Sequence, residues 1–418
     1  MPEPWSYPIR LFERTGVELE YMIVDAETLA VKPIADEALK AITGEYATDA
    51  EPDGPDGLIS WSNELALHVI ELKTTNPVAT LDEAAPVFVD HVGRVNAILE
   101  PMGARLMPGA MHPWMNPHEE LRLWPHEYNR VYEAFNRIFS CEGHGWANLQ
   151  STHINLPFGS DDEFGRLHAA MRLVLPILPA LAASSPMMDG AVTGLADTRL
   201  EVYRSNARRV PSVSGLVVPE RVFTRHDYET KLLGSLYRDI APHDIDGILQ
   251  HEWLNARGCI ARFDRGSIEI RVLDIQENPI ADLAIVALVN KTLQALAEEQ
   301  WATLEEQQSW EVEPLHGLLL RTIREGETAR IDDPAYLELF RLRSSAGVTA
   351  GEFWSALAER FDLAQPWREH LRLIAEHGTL STRLRRSLGA DPSRERINSV
   401  YRALCDCLAS NEPFLPGA

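Results

Sequence analysis

Three short segments of this chain carry glutamates, and a fourth a histidine, at the spacing of strand alternation. Residues 17–24 read VELEYMIV, 67–73 LHVIELK, 151–156 STHINL and 267–273 SIEIRVL. Strand side chains point to opposite faces in turn. Glu18 and Glu20 therefore share one face, and Leu19, Tyr21 and Ile23 the other. Glu71 shares a face with Val69 and Lys73, and Ser151, His153 and Asn155 form a third set. Glu269 and Arg271 form the fourth, with Ile268, Ile270 and Val272 pointing away. If the four strands join, one sheet face collects Glu18, Glu20, Glu71, His153 and Glu269, with an arginine beside them.

Any one of these strands is also compatible with the wet outer face of an antiparallel sheet. Together they are not an ordinary wet face. Four gathered glutamates repel one another by on the order of several kcal/mol unless cations intervene. Carboxylates with one imidazole are the donors that hard divalent ions select, and Mg²⁺ keeps waters and substrate phosphates in its other positions. An arginine alongside offers a planar fork suited to phosphate.

The elements that must hold these residues alternate over the first 280 residues. Each of the four strands is rich in branched apolar residues at period two. Helices between them have clear start signals. Thr80-Leu81-Asp82-Glu83 is a capping box before VFVDHVGRVNAILE, and Ser160-Asp161-Asp162-Glu163 is another before FGRLHAAMRLVL. Residues 49–57, DAEPDGPDG, and 107–118, MPGAMHPWMNPH, read as turn-rich loops. After about residue 281 strand signals stop and amphipathic helical patterns follow one another. The chain divides into residues 1–280, which carry the chemistry, and a helical region, 281–418, packed on them without a flexible spacer.

Composition narrows the class of function. The chain has 418 residues, 45% hydrophobic and 24% charged, enough for a sizeable core. A net charge of −23 argues against nucleic acid or an anionic membrane as partner. The N-terminal MPEPWSYPIR lacks an apolar signal core, and the apolar stretches near residues 175 and 285 are broken by Pro176, Pro179 and Asp282. Cys141, Cys259, Cys405 and Cys407 have neither disulfide-scaffold nor zinc spacing and read as reduced thiols. The expectation is a cytoplasmic enzyme or binding protein, with a homo-oligomer left open.

The motifs, in order, resemble the glutamate–cysteine ligase type 2 family of carboxylate–amine ligases. R-T-G-V-E-L-E-Y resembles its opening G-x-E-x-E strand, and E-L-K-T-T-N-P at 71–77 its E-x-x-T-P strand end. S-T-H-I-N-L resembles its central histidine strand, and R-G-S-I-E-I-R-V-L-D at 265–274 its E-x-R strand. S-S-P-M-M-D-G at 184–190 and Y-R-S-N at 203–206 are similar to later segments, so the likeness spans about residues 14–280. Two features depart from the pattern. Asn155 stands where many members have the second histidine of His-x-His, and G-H-G-W at 143–146 does not match a standard element of the family.

The resemblance implies an α+β, glutamine synthetase-like fold: a curved, largely antiparallel sheet forming an active-site funnel, with flanking helices. It implies ATP as co-substrate and two magnesium ions, one among Glu18, His153 and Glu269 and one by Glu20 and Glu71. Arg271 would lie against the transferring phosphate. Arg204 matches a position near the acceptor carboxylate, though a surface salt bridge suits it equally. Arg265 would meet phosphate or simply sit in a turn, and Asn155 would orient a ligand or bind nucleotide. Glu64 is expected to point away, on the premise that it shares a strand with Glu71 seven residues on. His112 and His144 lie in loops, where histidines are usually only polar residues.

The implied reaction joins a carboxylate, with glutamate leading by family association, to a small-molecule amine through an acyl phosphate. A nucleotide- and metal-binding regulator without ligase activity, and a two-metal hydrolase, are the alternatives. Amine-dependent ADP release separates the first from a ligase, and nucleotide binding separates the second.

Overall fold

A computed structural model describes residues 7–417. Most of the N-terminal segment read as lacking a signal core, residues 1–6, lies outside the described residues. The centre is an eight-stranded sheet: β1 (Gly16–Asp25), β2 (Asp49–Ala50), β3 (Ile59–Asn63), β4 (Val69–Thr74), β5 (Ala104–Met107), β6 (Ser151–Pro157), β9 (Cys259–Arg262) and β10 (Ser267–Asp274). The numbering gap is a small hairpin, β7 (Met187–Met188) with β8 (Ala191–Val192). Strand order is β2-β3-β4-β1-β6-β10-β9, with β5 beside the far half of β1. Every pairing in this sheet is antiparallel. This is the glutamine synthetase-like architecture that the sequence leads one to expect.

Alternation works as read in β1. Val17, Leu19, Tyr21 and Ile23 are fully buried on the back of the sheet, in one apolar core with Ile154, Leu156, Ile268 and Ile270. Each such side chain stabilises the fold by about 1.5–3 kcal/mol. A slip of one residue would drive Glu18 and Glu20 into that core, so the register is strongly specified. Helices Leu81–Leu99, Asp161–Val174 and Pro279–Ala297 contribute to the same core. The capping box at Thr80 and Glu83 forms as expected. At the next helix Ser160 caps Glu163 N, but the Glu163 carboxylate turns to Gly159 N and Arg10 instead.

Four strands of the central sheet escaped the sequence reading. β2 and β5 are very short, and β9 is only four residues. β3, ISWSN, does alternate, with Ile59 and Trp61 against Ser60 and Ser62, but it follows a turn-rich loop closely. β10 contains a bulge: Ile270 faces Ile154, whereas Leu273 faces Thr152. The extra residue lets Arg271 stay on the front face while Val272 and Leu273 are both buried.

Among the described residues beyond 281, the regular structure is helical apart from β11 (Arg330–Ile331) paired with β12 (Val348–Thr349). Pro279–Ala297 is long and apolar enough to cross a membrane, with mean hydropathy 1.5, yet 78% of that window is buried inside the protein. Asp282, expected to interrupt it, faces the sheet instead, where Thr152 Oγ1 donates to its carboxylate at 2.5 Å. The junction before this helix is pinned by a buried pair. Arg383 donates to both oxygens of Glu277, at 2.5 and 3.2 Å, and to the Phe414 carbonyl at 2.7 Å.

Candidate active site

Strand register decides which side chains meet. Glu20 lies opposite Glu71, Glu18 opposite both His153 and Lys73, Glu269 opposite Asn155, and Ser62 opposite Glu71. The five residues expected as metal ligands, Glu18, Glu20, Glu71, His153 and Glu269, all line one cleft of about 520 Å³ on the front face.

His153 is the hub. Its Nδ1 lies 2.7 Å from Glu18 Oε2 and 3.9 Å from Glu269 Oε1, and its Nε2 lies 3.7 Å from Glu20 Oε1. Ser151 donates to Glu20 through N at 2.6 Å and Oγ at 2.8 Å, and Oγ also meets His153 Nε2 at 2.9 Å. Burial works against a charged His153, but the Glu20 charge and the Glu18 bond outweigh it and push the imidazole up to about 9. Burial likewise opposes the Glu18 carboxylate. The bond and charge of His153, with help from Lys73, nevertheless hold it down at about 2.

The two neighbouring carboxylates differ. Burial, reinforced by the Glu18 charge, pushes Glu71 up to about 7, although Ser62 Oγ donates to it at 2.6 Å and Lys73 Nζ stands 3.3 Å away. Glu269 is lowered: burial opposes, but Arg271 donates to its Oε1 at 2.5 and 3.1 Å. So the β10 end of the cleft has a charge-matched pair and the β4 end an excess of negative charge.

Glu64 is the residue that sequence reasoning misplaced. It follows β3, whereas Glu71 sits within β4, so the two do not share a strand and alternation between them has no meaning. Glu64 lines the cleft, and burial together with Glu20 and Glu71 raises its carboxyl well above the usual range. Two groups of donor atoms lie within 4.8 Å of one another: Glu20, Glu64 and Glu71, and Glu18, Glu71 and His153. Oxygen-rich donors with one imidazole, some left without a compensating cation, fit hard divalent ions.

The remaining expected residues divide. Arg271 and Arg265 line the cleft. Arg265 comes from the β9–β10 turn, where Gly266 has φ +66° and a Cβ would stand 2.5 Å from the Tyr7 ring. Asn155 is not a lining residue; its Nδ2 donates to Glu18 Oε1 at 2.9 Å and so orients that carboxylate. Arg204 is outside the cleft lining, bonded to Glu201 at 2.8 and 2.5 Å along its own helix. The surface salt bridge is thus the arrangement found. One turn earlier, Arg199 lines the cleft, bonded to the Arg271 carbonyl at 2.8 Å and to Asp274 at 3.3 Å. Its helical spacing of four from Tyr203, another lining residue, was the available signal.

The two loop histidines differ. His112 is fully buried against the Leu29 carbonyl, and burial holds its imidazole down at about 3. His144 lies in a short helix and meets Asp189 at 3.0 Å. Its neighbours Gly145 and Trp146, part of the unplaced G-H-G-W, do line the cleft. A Cβ on Gly145 would stand 2.8 Å from Asn206 Cβ, so glycine permits this close approach.

Comparison with known proteins bears on this geometry. The model of glutamate–cysteine ligase family 2 matches residues 14–403. A protein of Archaeoglobus fulgidus, itself uncharacterized, is 32% identical over 96% of this chain and all of its own length. A Rubrobacter xylanophilus protein provisionally named glutamate–cysteine ligase 2-3 is 28% identical over 72% of this chain and 75% of its own. Among solved structures, glutamate–cysteine ligase of Francisella tularensis in complex with AMP superposes with a TM-score of 0.61 at 11% identity. It covers 97% of this chain and 90% of that one, and so shares the fold. The match across nearly the whole chain, on a sheet whose front face gathers the expected glutamates, makes the protein a member of glutamate–cysteine ligase family 2, a family of carboxylate–amine ligases.

Proposed function

We propose that this enzyme forms an amide bond between a carboxylic acid and an amine at the expense of ATP, through an acyl phosphate. The observation that carries this reading is the crowding of Glu18, Glu20, Glu64, Glu71 and Glu269 around His153, with Arg271 at its edge. Glu20, Glu64 and Glu71 would hold one divalent ion, and Glu18, His153 and Glu269 a second. Bound there, Mg²⁺ would neutralise phosphate oxygens and stabilise the charge on the transferring group.

The chain's own groups do the positioning. A carboxylate oxygen of the acid attacks the γ-phosphorus of ATP, the bond to the β–γ bridging oxygen breaks, and ADP leaves. Arg271 and Arg265 face this end of the cleft, where a fixed donor acts on the equatorial oxygens. The amine nitrogen then attacks the carbonyl carbon, loses a proton and displaces phosphate. Ser151 and Asn155 hold Glu20 and Glu18 in place throughout, since each donates to one of these carboxylates. Glutamate is the leading acid through the family.

The test is ADP release from ATP and Mg²⁺ with panels of acids and amines. An isotopic oxygen label in the acid should appear in the released phosphate. Label retained wholly in the amide, AMP as product, or turnover that persists in excess chelator would overturn the scheme.

A further inference from the structure

The basic side chains of the cleft are distributed unequally. Arg262, Arg265 and Arg271 come from the β9–β10 hairpin, and Arg199 lies beside them, bonded to the Arg271 carbonyl. Among the described lining residues, Lys73 of β4 is the sole lysine or arginine on the opposite bank. Its Nζ lies 3.1 Å from Asp49 Oδ1, 3.3 Å from Glu71 Oε1, and donates to Ser62 Oγ at 2.8 Å. Asp49, in β2, is 57% exposed at its side chain and Lys73 29%. An ammonium and a carboxylate thus stand side by side at the cleft wall, both reachable, next to the Glu71 end of the ligand cluster.

A triphosphate needs several cations and is matched by the arginine bank. One lysine beside one aspartate is matched instead by a group with one negative and one positive charge. We propose that Lys73 and Asp49 form a zwitterion clamp for the donor acid, Lys73 taking the α-carboxylate and Asp49 the α-ammonium of an amino acid whose side-chain carboxyl is the one activated. This rests on the ligase reading and adds to it the pair that selects the donor. Ser62 Oγ anchors the lysine at 2.8 Å, and a bound α-carboxylate would take the donor that now points to Asp49 while Asp49 turns to the α-ammonium. Thr48, also a lining residue, precedes Asp49 at the rim.

The clamp makes a crossed prediction. Glutarate is glutamate without its α-ammonium, and 4-aminobutyrate is glutamate without its α-carboxylate. KM for each donor would be measured by ADP release, with saturating ATP and Mg²⁺ and hydroxylamine as acceptor. Lys73→Met should raise KM for glutamate and glutarate at least about tenfold more than for 4-aminobutyrate, which shares any effect on the neighbouring Glu18 and Glu71. Asp49→Asn should raise it for glutamate and 4-aminobutyrate and leave glutarate unchanged. A purely structural role for the pair would shift all three donors together, or would shift the ATP and Mg²⁺ requirements instead, and either result overturns the clamp. So does wild-type turnover of butyrate at the same KM as glutamate. In those cases ADP is still released and the ligase reading stands. No ADP release by the wild type with any of these donors overturns both together.

Discussion

Buried glutamates occur in two settings in this molecule. Glu277 and Arg383 are both fully inaccessible, and each carboxylate oxygen receives a guanidinium donor. His370 Nε2 adds a contact at 3.5 Å. Burial alone would raise the Glu277 carboxyl, but the Arg383 charge and the nearby His370 ring carry it well below the usual range. On the front of the sheet, Glu64 and Glu71 are raised instead, because burial and neighbouring carboxylates act in the same direction. One site is electrostatically complete; the other stays incomplete until something positive enters. The difference separates a structural charge from one held ready for a ligand, a distinction that burial by itself does not make.

Opening the complete pair has the largest expected effect. Arg383→Met should destabilise the fold by about 3–5 kcal/mol, because Glu277 is left buried and unpaired. Urea denaturation reads this, and a loss under 1 kcal/mol would place the pair with weak surface bridges. Glu71→Gln should behave in the opposite way. Mg²⁺-dependent ADP release should fall by at least about 100-fold, the upper range seen for partners of metal ligands. The urea midpoint of the metal-free variant should hold or rise, since one repelling charge is gone. A large drop in that midpoint would show that Glu71 stabilises the fold.

Arg271→Lys sharpens the contrast between the two ends of the cleft. Turnover should fall roughly 10- to 100-fold, because a point charge replaces a planar fork. Mg²⁺ binding, followed by calorimetry, should change by less than about threefold, and equal losses in both would remove Arg271 from the phosphate. The smallest effect is a pH dependence. Glu277 has a depressed carboxyl, so its stabilisation is fully present above the unfolded value of about 4.3 and is lost as pH falls below it. Glu277→Gln should flatten this acid limb of the urea midpoint; an unchanged limb would assign acid sensitivity to other carboxylates.

Much of the site was legible because strand alternation is a local rule. Glu18 with Glu20, and Glu269 with Arg271, required only a period of two within one strand. Joining the strands depended on the family resemblance, since pairing order is not local. Glu64 shows where the local rule fails: it is valid only within an unbroken strand, and the turn between β3 and β4 has no glycine or proline to announce it. Arg204 shows a different limit. A helix presents neighbouring residues about 100° apart, so a motif that identifies the helix does not say which arginine faces the cleft. The bulge in β10 left the expected face of Arg271 intact but cancelled the strict alternation after it.

The Glu277–Arg383 pair also sets a schedule. Arg383 lies 106 residues after Glu277, and its other partner, Phe414, lies 31 residues further on. At synthesis rates of about 5–20 residues per second, on the order of 5–20 s separate the emergence of Glu277 from that of Arg383. All strands of the active-site sheet are on the nascent chain before then. During that interval the junction following β10 carries an acid with no base to receive it, so this pair closes only after the helical region has emerged.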